Sequence, residues 1–170
     1  MPASTPILGF PYPTGTDRVM DGDNAIGALA QAVEDELLSA AYRVLGYVQT
    51  VADQTGIGTT PVALAGLSLP IQVAAGRRIR VTALGQFTAS TSGNTVRMRT
   101  LIDGANTQLA AVTIQAGTQV QTVQSSVVVT PAAGAHTFSL NGQMSAGTGT
   151  VTLNGSAGPC YLMVEDLGPL

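Results

Sequence analysis

The sequence predicts a mainly β protein: an N-terminal extended arm and one short α-helix, followed by an antiparallel jelly-roll-like β-sandwich. Three observations carry this. The first 24 residues are punctuated by Pro2, Pro6, Pro11 and Pro13 and by Asp17, Asp21 and Asp23. Residues 24 to about 45 hold the single run of apolar positions at helical spacing. From Tyr47 onward apolar and polar residues alternate with a period of two, the pattern of strands that bury one face. A length of 170 residues suits one domain of ordinary size plus an arm. The expected division is an arm over 1–24, a helix over 25–46 and a sandwich over 47–170.

In the arm, proline removes backbone donors and Gly and Asp favour turns, so regular structure is not expected there. Such a segment is ordered by what it lies on. Phe10, Pro11, Tyr12, Pro13 and Asp17 are therefore its candidate partner-binding residues.

For the helix, Asp23 or Asn24 is the expected N-cap and Gly46 the expected stop. Apolar or small residues fall at Ile26, Ala30, Val33, Leu37, Ala40 and Val44, spaced alternately by four and three. This is a heptad seam, with Ile26, Val33, Leu37 and Val44 as its larger members. Two readings stand side by side: a short trimeric coiled coil, or an amphipathic helix lying on its own β-domain.

Along the sandwich, Ile79, Val81, Ala83 and Phe87 fall on one face of a strand, with Arg78, Arg80, Thr82, Gln86 and Thr88 on the other. Val96, Met98 and Ile102 repeat the pattern, with Arg97 and Arg99 outward, and Asp103-Gly104 then makes a hairpin turn into Leu109 to Gln115. If those two strands are neighbours, the four arginines share one outer face. Further strands are expected at Val44–Val51, Pro61–Leu69, Gln119–Thr130, Ala135–Met144, Thr148–Asn154 and Cys160–Asp166. Eight or nine short strands with no helix between them indicate a sandwich.

Composition narrows the function. Only 10% of residues are charged while 45% are hydrophobic, so part of the surface is expected to be covered by copies or other subunits. Residues 1–53 hold seven carboxylates and two arginines, a net −5; residues 54–170 hold three carboxylates and five arginines, a net +2. An overall −3 speaks against nucleic acid as the main partner. No stretch approaches the roughly 20 apolar residues of a membrane span, and no basic, then apolar, leader opens the chain, so neither membrane insertion nor a signal peptide is expected.

The search for chemistry is negative, and an enzyme is not expected: no catalytic residue, cofactor site or metal site is predicted. His136, the sole histidine, lies in an alternating strand. Asp17, Asp21, Gly22 and Asp23 match four positions of a calcium loop, but Val19 and Ala28 stand where ligands are needed. Glu34 and Glu36 point to different faces of a helix, and Glu165 and Asp166 to opposite faces of a strand, so neither is an acid/base pair. Cys160 reads as a small buried residue. Sugar platforms need aromatic faces, and Tyr161, Phe87 and Phe138 stand in strand settings.

The opening Phe10-Pro11-Tyr12-Pro13-Thr14-Gly15-Thr16-Asp17, followed by Asp21-Gly22-Asp23-Asn24-Ala25-Ile26 and Leu29-Ala30, resembles the N-terminal segment of small virion proteins of tailed phages infecting actinobacteria. The close, Tyr161-Leu162-Met163-Val164-Glu165-Asp166-Leu167-Gly168-Pro169, resembles the final strand of the same group of tail, head-fibre and capsid-decoration proteins. The resemblance implies a homotrimer whose arm lies on capsid or tail subunits while the sandwich projects. It implies a virion component made in the host cytoplasm, as a capsid decoration or minor capsid protein or a short tail appendage. The alternative is a module of a tail fibre that binds a glycan on the host surface.

Overall fold

The computed structural model describes residues 3–4, 11–12, 19–40, 42–115 and 119–169. Two compact units divide the chain, Met1–Ala41 and Tyr42–Leu170.

In the first unit, β1 (Ala3–Ser4) pairs antiparallel with β2 (Pro11–Tyr12), Ala3 opposite Tyr12 and Ser4 opposite Pro11. Helix α1 runs Val19–Ala40, 22 residues or about 33 Å at the α-helical rise. It begins before the expected caps and ends before the expected stop. Asp21 and Asp23 fall within its opening turns. Within α1 the Gln31 amide donates to Asp35 Oδ1 over 2.9 Å, one turn further on.

Among its described residues the second unit holds ten strands: β3 (Arg43–Thr50), β4 (Gln54–Ile57), β5 (Val62–Val73), β6 (Arg77–Ala89), β7 (Asn94–Ile102), β8 (Ala105–Ile114), β9 (Gln121–Val129), β10 (Gly134–Ala146), β11 (Val151–Leu153) and β12 (Cys160–Pro169). All pair antiparallel. One sheet has the order β5-β10-β7-β8. In the other, β12 lies between β3 and β6, and β9 closes the far side of β6. The short β11 and β4 prolong this sheet, β11 pairing with β6 and β4 with β11. From β4 to β11 consecutive strands cross from sheet to sheet, except at the β7–β8 hairpin. That is a jelly-roll β-sandwich.

The core lies between the sheets. Ile79, Val81, Ala83 and Phe87 of β6 are buried against Met98 of β7, Phe138 and Leu140 of β10 and Leu162 and Val164 of β12. The period-two reading of β6 and β7 therefore matches their buried faces. At the β7–β8 turn both Asp103 (φ 51°) and Gly104 (φ 80°) adopt left-handed backbone, as a two-residue hairpin requires.

Several expectations are corrected. Val44 stands on β3 and not on the helix, so Leu37 is the last of the seam's larger members on α1. Gly46 is a strand residue: a Cβ there would meet Ile71 Cδ1 at 2.7 Å, which explains a glycine where β3 passes β5. Arg78 and Arg80 lie on β6 and Arg97 and Arg99 on β7, strands of different sheets, so the four arginines occupy opposite outer faces. The strand β4 was not foreseen, β8 starts at Ala105 rather than Leu109, and β11 is confined to Val151–Leu153.

Candidate interaction surfaces

The polar groups with chemical potential are tied into structure. His136 on β10 has both ring nitrogens against acceptors, Nδ1 at 2.7 Å from Asp103 Oδ2 and Nε2 at 2.9 Å from the Ala132 carbonyl. Asp103 also accepts the Thr137 N–H at 2.8 Å through Oδ1. The hydrogen bond to Asp103, and then that to Ala132, raises the imidazole above its ordinary range, while the Thr137 and His136 bonds hold the Asp103 carboxyl below its own. With two acceptors on two nitrogens, the ring has no free lone pair to take a proton from a nucleophile. Cys160 is fully buried and its Sγ receives the Gln86 N–H; burial raises the thiol, the opposite of what a reactive cysteine needs. Among the described residues no group of three His, Cys, Asp or Glu side chains is placed to hold a metal ion. No described helix is long and apolar enough to cross a membrane.

Two arginine–carboxylate contacts bind the start of β6 to the end of β12. Arg77 Nε meets Asp166 Oδ1 at 2.9 Å and Oδ2 at 2.8 Å, both side chains buried, and the Gly168 N–H adds a bond to Oδ1 at 3.0 Å. Burial pushes the Asp166 carboxyl up, but the bonds from Arg77 and Gly168 and the charges of Arg77 and Arg43 outweigh it and leave it below the ordinary value. One residue earlier and on the opposite face, Glu165 receives Arg80 through Nε at 2.7 Å and Nη2 at 3.1 Å. The Arg80 guanidinium also donates to the Tyr42 hydroxyl.

The two outer faces of the sandwich differ in character. On the β3-β12-β6-β9 sheet, cross-strand register aligns Gln49, Tyr161, Leu84 and Gln124 in one row and Tyr47, Met163, Thr82 and Ser126 in the next. Neither row carries a charge. The third row is Val44, Glu165, Arg80 and Val128, whose two charges pair with each other. Val44, Tyr47 and Val128 are 54%, 48% and 53% exposed, and the rings of Tyr47 and Tyr161 lie 5.7 Å apart. On the β5-β10-β7-β8 sheet the outward positions include Thr95, Arg97, Arg99, Thr113 and Gln143 beside the exposed Leu109. Arg99 Nη2 donates to Gln143 Oε1 at 2.8 Å, and Thr95 and Thr113 share a hydroxyl contact of 2.9 Å. Arg97 on the same face is exposed, and neither arginine has an ion pair among the described residues.

On α1, Ile26, Val33 and Leu37 are all exposed, so the seam forms an apolar ridge. The helix carries Glu34, Asp35 and Glu36 toward its end and has no basic residue in its last turn. Of the candidate arm residues, Phe10, Pro13 and Asp17 lie outside the described residues, while Pro11 and Tyr12 form β2. Sequence reasoning passed over Tyr42 and Tyr47. The available signal was the pair Tyr47 and Gln49, two apart on a strand beside Tyr161, but it becomes visible only once β3 and β12 are known to pair. Phe87 and Phe138, weighed earlier as aromatic platforms, are fully buried and belong to the core.

No protein-family model matches the chain, and no curated protein matches it either. Among solved structures, the tumour-necrosis-factor protein Eiger from S. frugiperda is similar at 11% identity with a TM-score of 0.47, covering 75% of this chain and 95% of that one. The VP2 subviral particle of infectious bursal disease virus is similar at 14% identity and a TM-score of 0.43, over 76% of this chain and 38% of that one. A carbohydrate-binding module, CBM36 in complex with calcium and xylotriose, follows at 15% identity and 0.37, over 71% and 98%. At these identities and scores no function is drawn from the likeness.

Proposed function

We propose that this chain is a non-enzymatic structural protein of a tailed-phage virion. It docks on the particle through its N-terminal arm and displays the sandwich, as a capsid decoration or minor capsid protein or else a short tail appendage, and it works as a homotrimer. The observation that supports this most directly is the exposed ridge of Ile26, Val33 and Leu37 on an acidic helix that stands in a unit separate from the sandwich. A ridge of large apolar side chains on a helix with no basic residue in its last turn asks for a partner, and a threefold seam of identical helices supplies one. The sandwich adds support through its chemistry: histidine, cysteine and the buried carboxylates are all engaged in holding strands and turns together.

The test is particle incorporation. Full-length protein is expected to enter particles, while a variant lacking residues 1–18, cut just before α1 begins, is expected to fold but remain unbound. Normal occupancy by the truncated protein would move the binding surface to the sandwich. Binding of the full chain to host glycans, with no incorporation into particles, would instead favour the host-surface alternative.

A further inference from the structure

We propose that the edge of β8 pairs antiparallel with the β8 edge of a second copy of this chain, across a two-fold axis at Ala111. β8 is the last strand of the β5-β10-β7-β8 sheet, and among the described residues β7 is the only strand it pairs with. From Gln108 to Ile114 it runs beside β7 in unbroken register, with no proline, glycine or charge; its one register shift lies before that run, opposite Thr100 and Leu101. A straight edge of this kind offers a row of backbone donors and acceptors to another strand, and proteins that stay apart interrupt it.

The edges on the opposite side of the sandwich are interrupted. β5 carries Pro70, a left-handed Gly66 (φ 76°) and a register shift against β10, while β3 opens with Arg43 and shifts register against β12. β9, which runs alongside β8, is instead like it. Its residues Gln121–Val129 pair with β6 without a break and hold no charge and no proline. Both sheets thus present an uninterrupted, uncharged edge on the same side, the condition under which edge strands join.

A second copy is the occupant because β8 is its own complement. Antiparallel pairing over the whole run Gln108–Ile114 sets Ala111 opposite Ala111 of the copy, Leu109 opposite Thr113 and Ala110 opposite Val112. Ala110 and Val112, packed on the core but only partly buried in the single chain, then keep to the core side. β8 has no charged side chain by which to select a foreign strand. The surrounding charges permit the match. Arg97 and Arg99 stand on β7 opposite Ala111 and Leu109, and three strand spacings, roughly 14 Å, separate the two β7 backbones across the axis, more than the screening length of about 8 Å. In the other sheet Arg78 and Arg80 stand on β6, inside β9, with Arg80 paired to Glu165, and Asp103 at the hairpin turn is held by His136. The inference uses the sandwich alone and does not rest on the helical seam.

The experiment is disulfide trapping in the full chain. Directly opposed residues of an antiparallel pair have Cα atoms about 4.5–5.5 Å apart, within disulfide reach, and the native Cys160 is buried. After mild oxidation, Ala111→Cys is expected to give at least tenfold more cross-linked dimer on non-reducing electrophoresis than Ser139→Cys, on the outer face of β10 inside the same sheet. Circular dichroism verifies that both variants fold. Leu109→Cys and Thr113→Cys face each other in the same register, so they are expected to cross-link when mixed and not when oxidised separately. This pair keeps the test available should Ala111→Cys not fold. Yields at Ala111 no higher than at Ser139, or equal yields from the mixture and its separate components, would overturn the proposal. Cross-linking at Ala111 is also expected to persist when Ile26 and Leu37 are both replaced by Ser, and its loss there would overturn an interface made by the sandwich alone.

Discussion

His136 Nδ1 lies 2.7 Å from Asp103 Oδ2, a contact that ties the β7–β8 turn to the strand β10 beside it. Asp103 fastens the same place twice more through the backbone, receiving the Thr137 N–H on Oδ1 and donating its own N–H to the Thr137 carbonyl. The hairpin turn is thus held by the neighbouring strand and not by its own dihedral preference alone.

The titration of this pair has a definite sign. Raised by Asp103 and Ala132, His136 stabilises the fold fully below its unfolded value of about 6.5, and that contribution is lost as pH rises through the higher folded value. Asp103, lowered by Thr137 and His136, contributes above its unfolded value near 3.9 and is lost as pH falls through the folded one. The melting-temperature difference between wild type and His136→Gln is therefore expected to be largest between about pH 4 and 6.5, and to shrink in alkali. A difference that stays constant from pH 5 to 9 would show that the ring acts by packing alone.

Asp166→Asn is expected to destabilise by about 3–5 kcal/mol, the usual effect of removing one partner of a buried ion pair. The substitution removes a carboxylate bonded to the buried Arg77 and weakens the tie between β6 and β12. Because Asp166 is held below its ordinary value, its contribution is present above about pH 3.9 and disappears as pH falls through the folded value, so the variant and wild type should converge in acid. By contrast Arg97→Ser, at an exposed position, should change stability by no more than about 0.5 kcal/mol in urea unfolding. Equal losses for the two variants would contradict the assignment of inner and outer faces.

Gly85→Ala tests the packing of β6. A Cβ at Gly85 would lie 2.6 Å from the Phe87 ring and 3.1 Å from Met98 Sδ, both side chains fully buried. The ring is fully buried, so the added methyl is expected to cost about 1–3 kcal/mol despite alanine's better strand entropy. A neutral or stabilising result would mean that Phe87 has an alternative rotamer at little cost.

How much of this was legible beforehand follows from what each pattern encodes. Alternation tells which side chains of a strand share a face, and Ile79, Val81, Phe87, Val96 and Met98 are indeed inward. It says nothing about which strands are neighbours, so whether Arg78 and Arg80 share a face with Arg97 and Arg99 stays open until β6 and β7 are seen to belong to different sheets. The helix was legible by its spacing, but its ends were not. Asp23 and Asn24 satisfy the cap preference and the helix passes through them, while the alternating Tyr42 to Val48 run ends it before Gly46. The Tyr47–Tyr161 surface joins residues more than a hundred positions apart, a pairing set by the sheet and by no local signal.

The helical ridge provides the last test. Ile26 and Leu37 are 59% and 67% exposed, so replacing both with Ser removes little that the single chain buries. If the ridge were idle, the double variant would behave as wild type in every respect. If identical helices pack through it, each copy loses two seam side chains, worth about 1.5–3 kcal/mol apiece when fully buried, and the assembly should weaken by several orders of magnitude. The core of Phe87, Phe138 and Leu162 contains neither residue, so near-native circular dichroism should survive the change. Unaltered sedimentation of the Ile26→Ser, Leu37→Ser protein would remove the seam from the account.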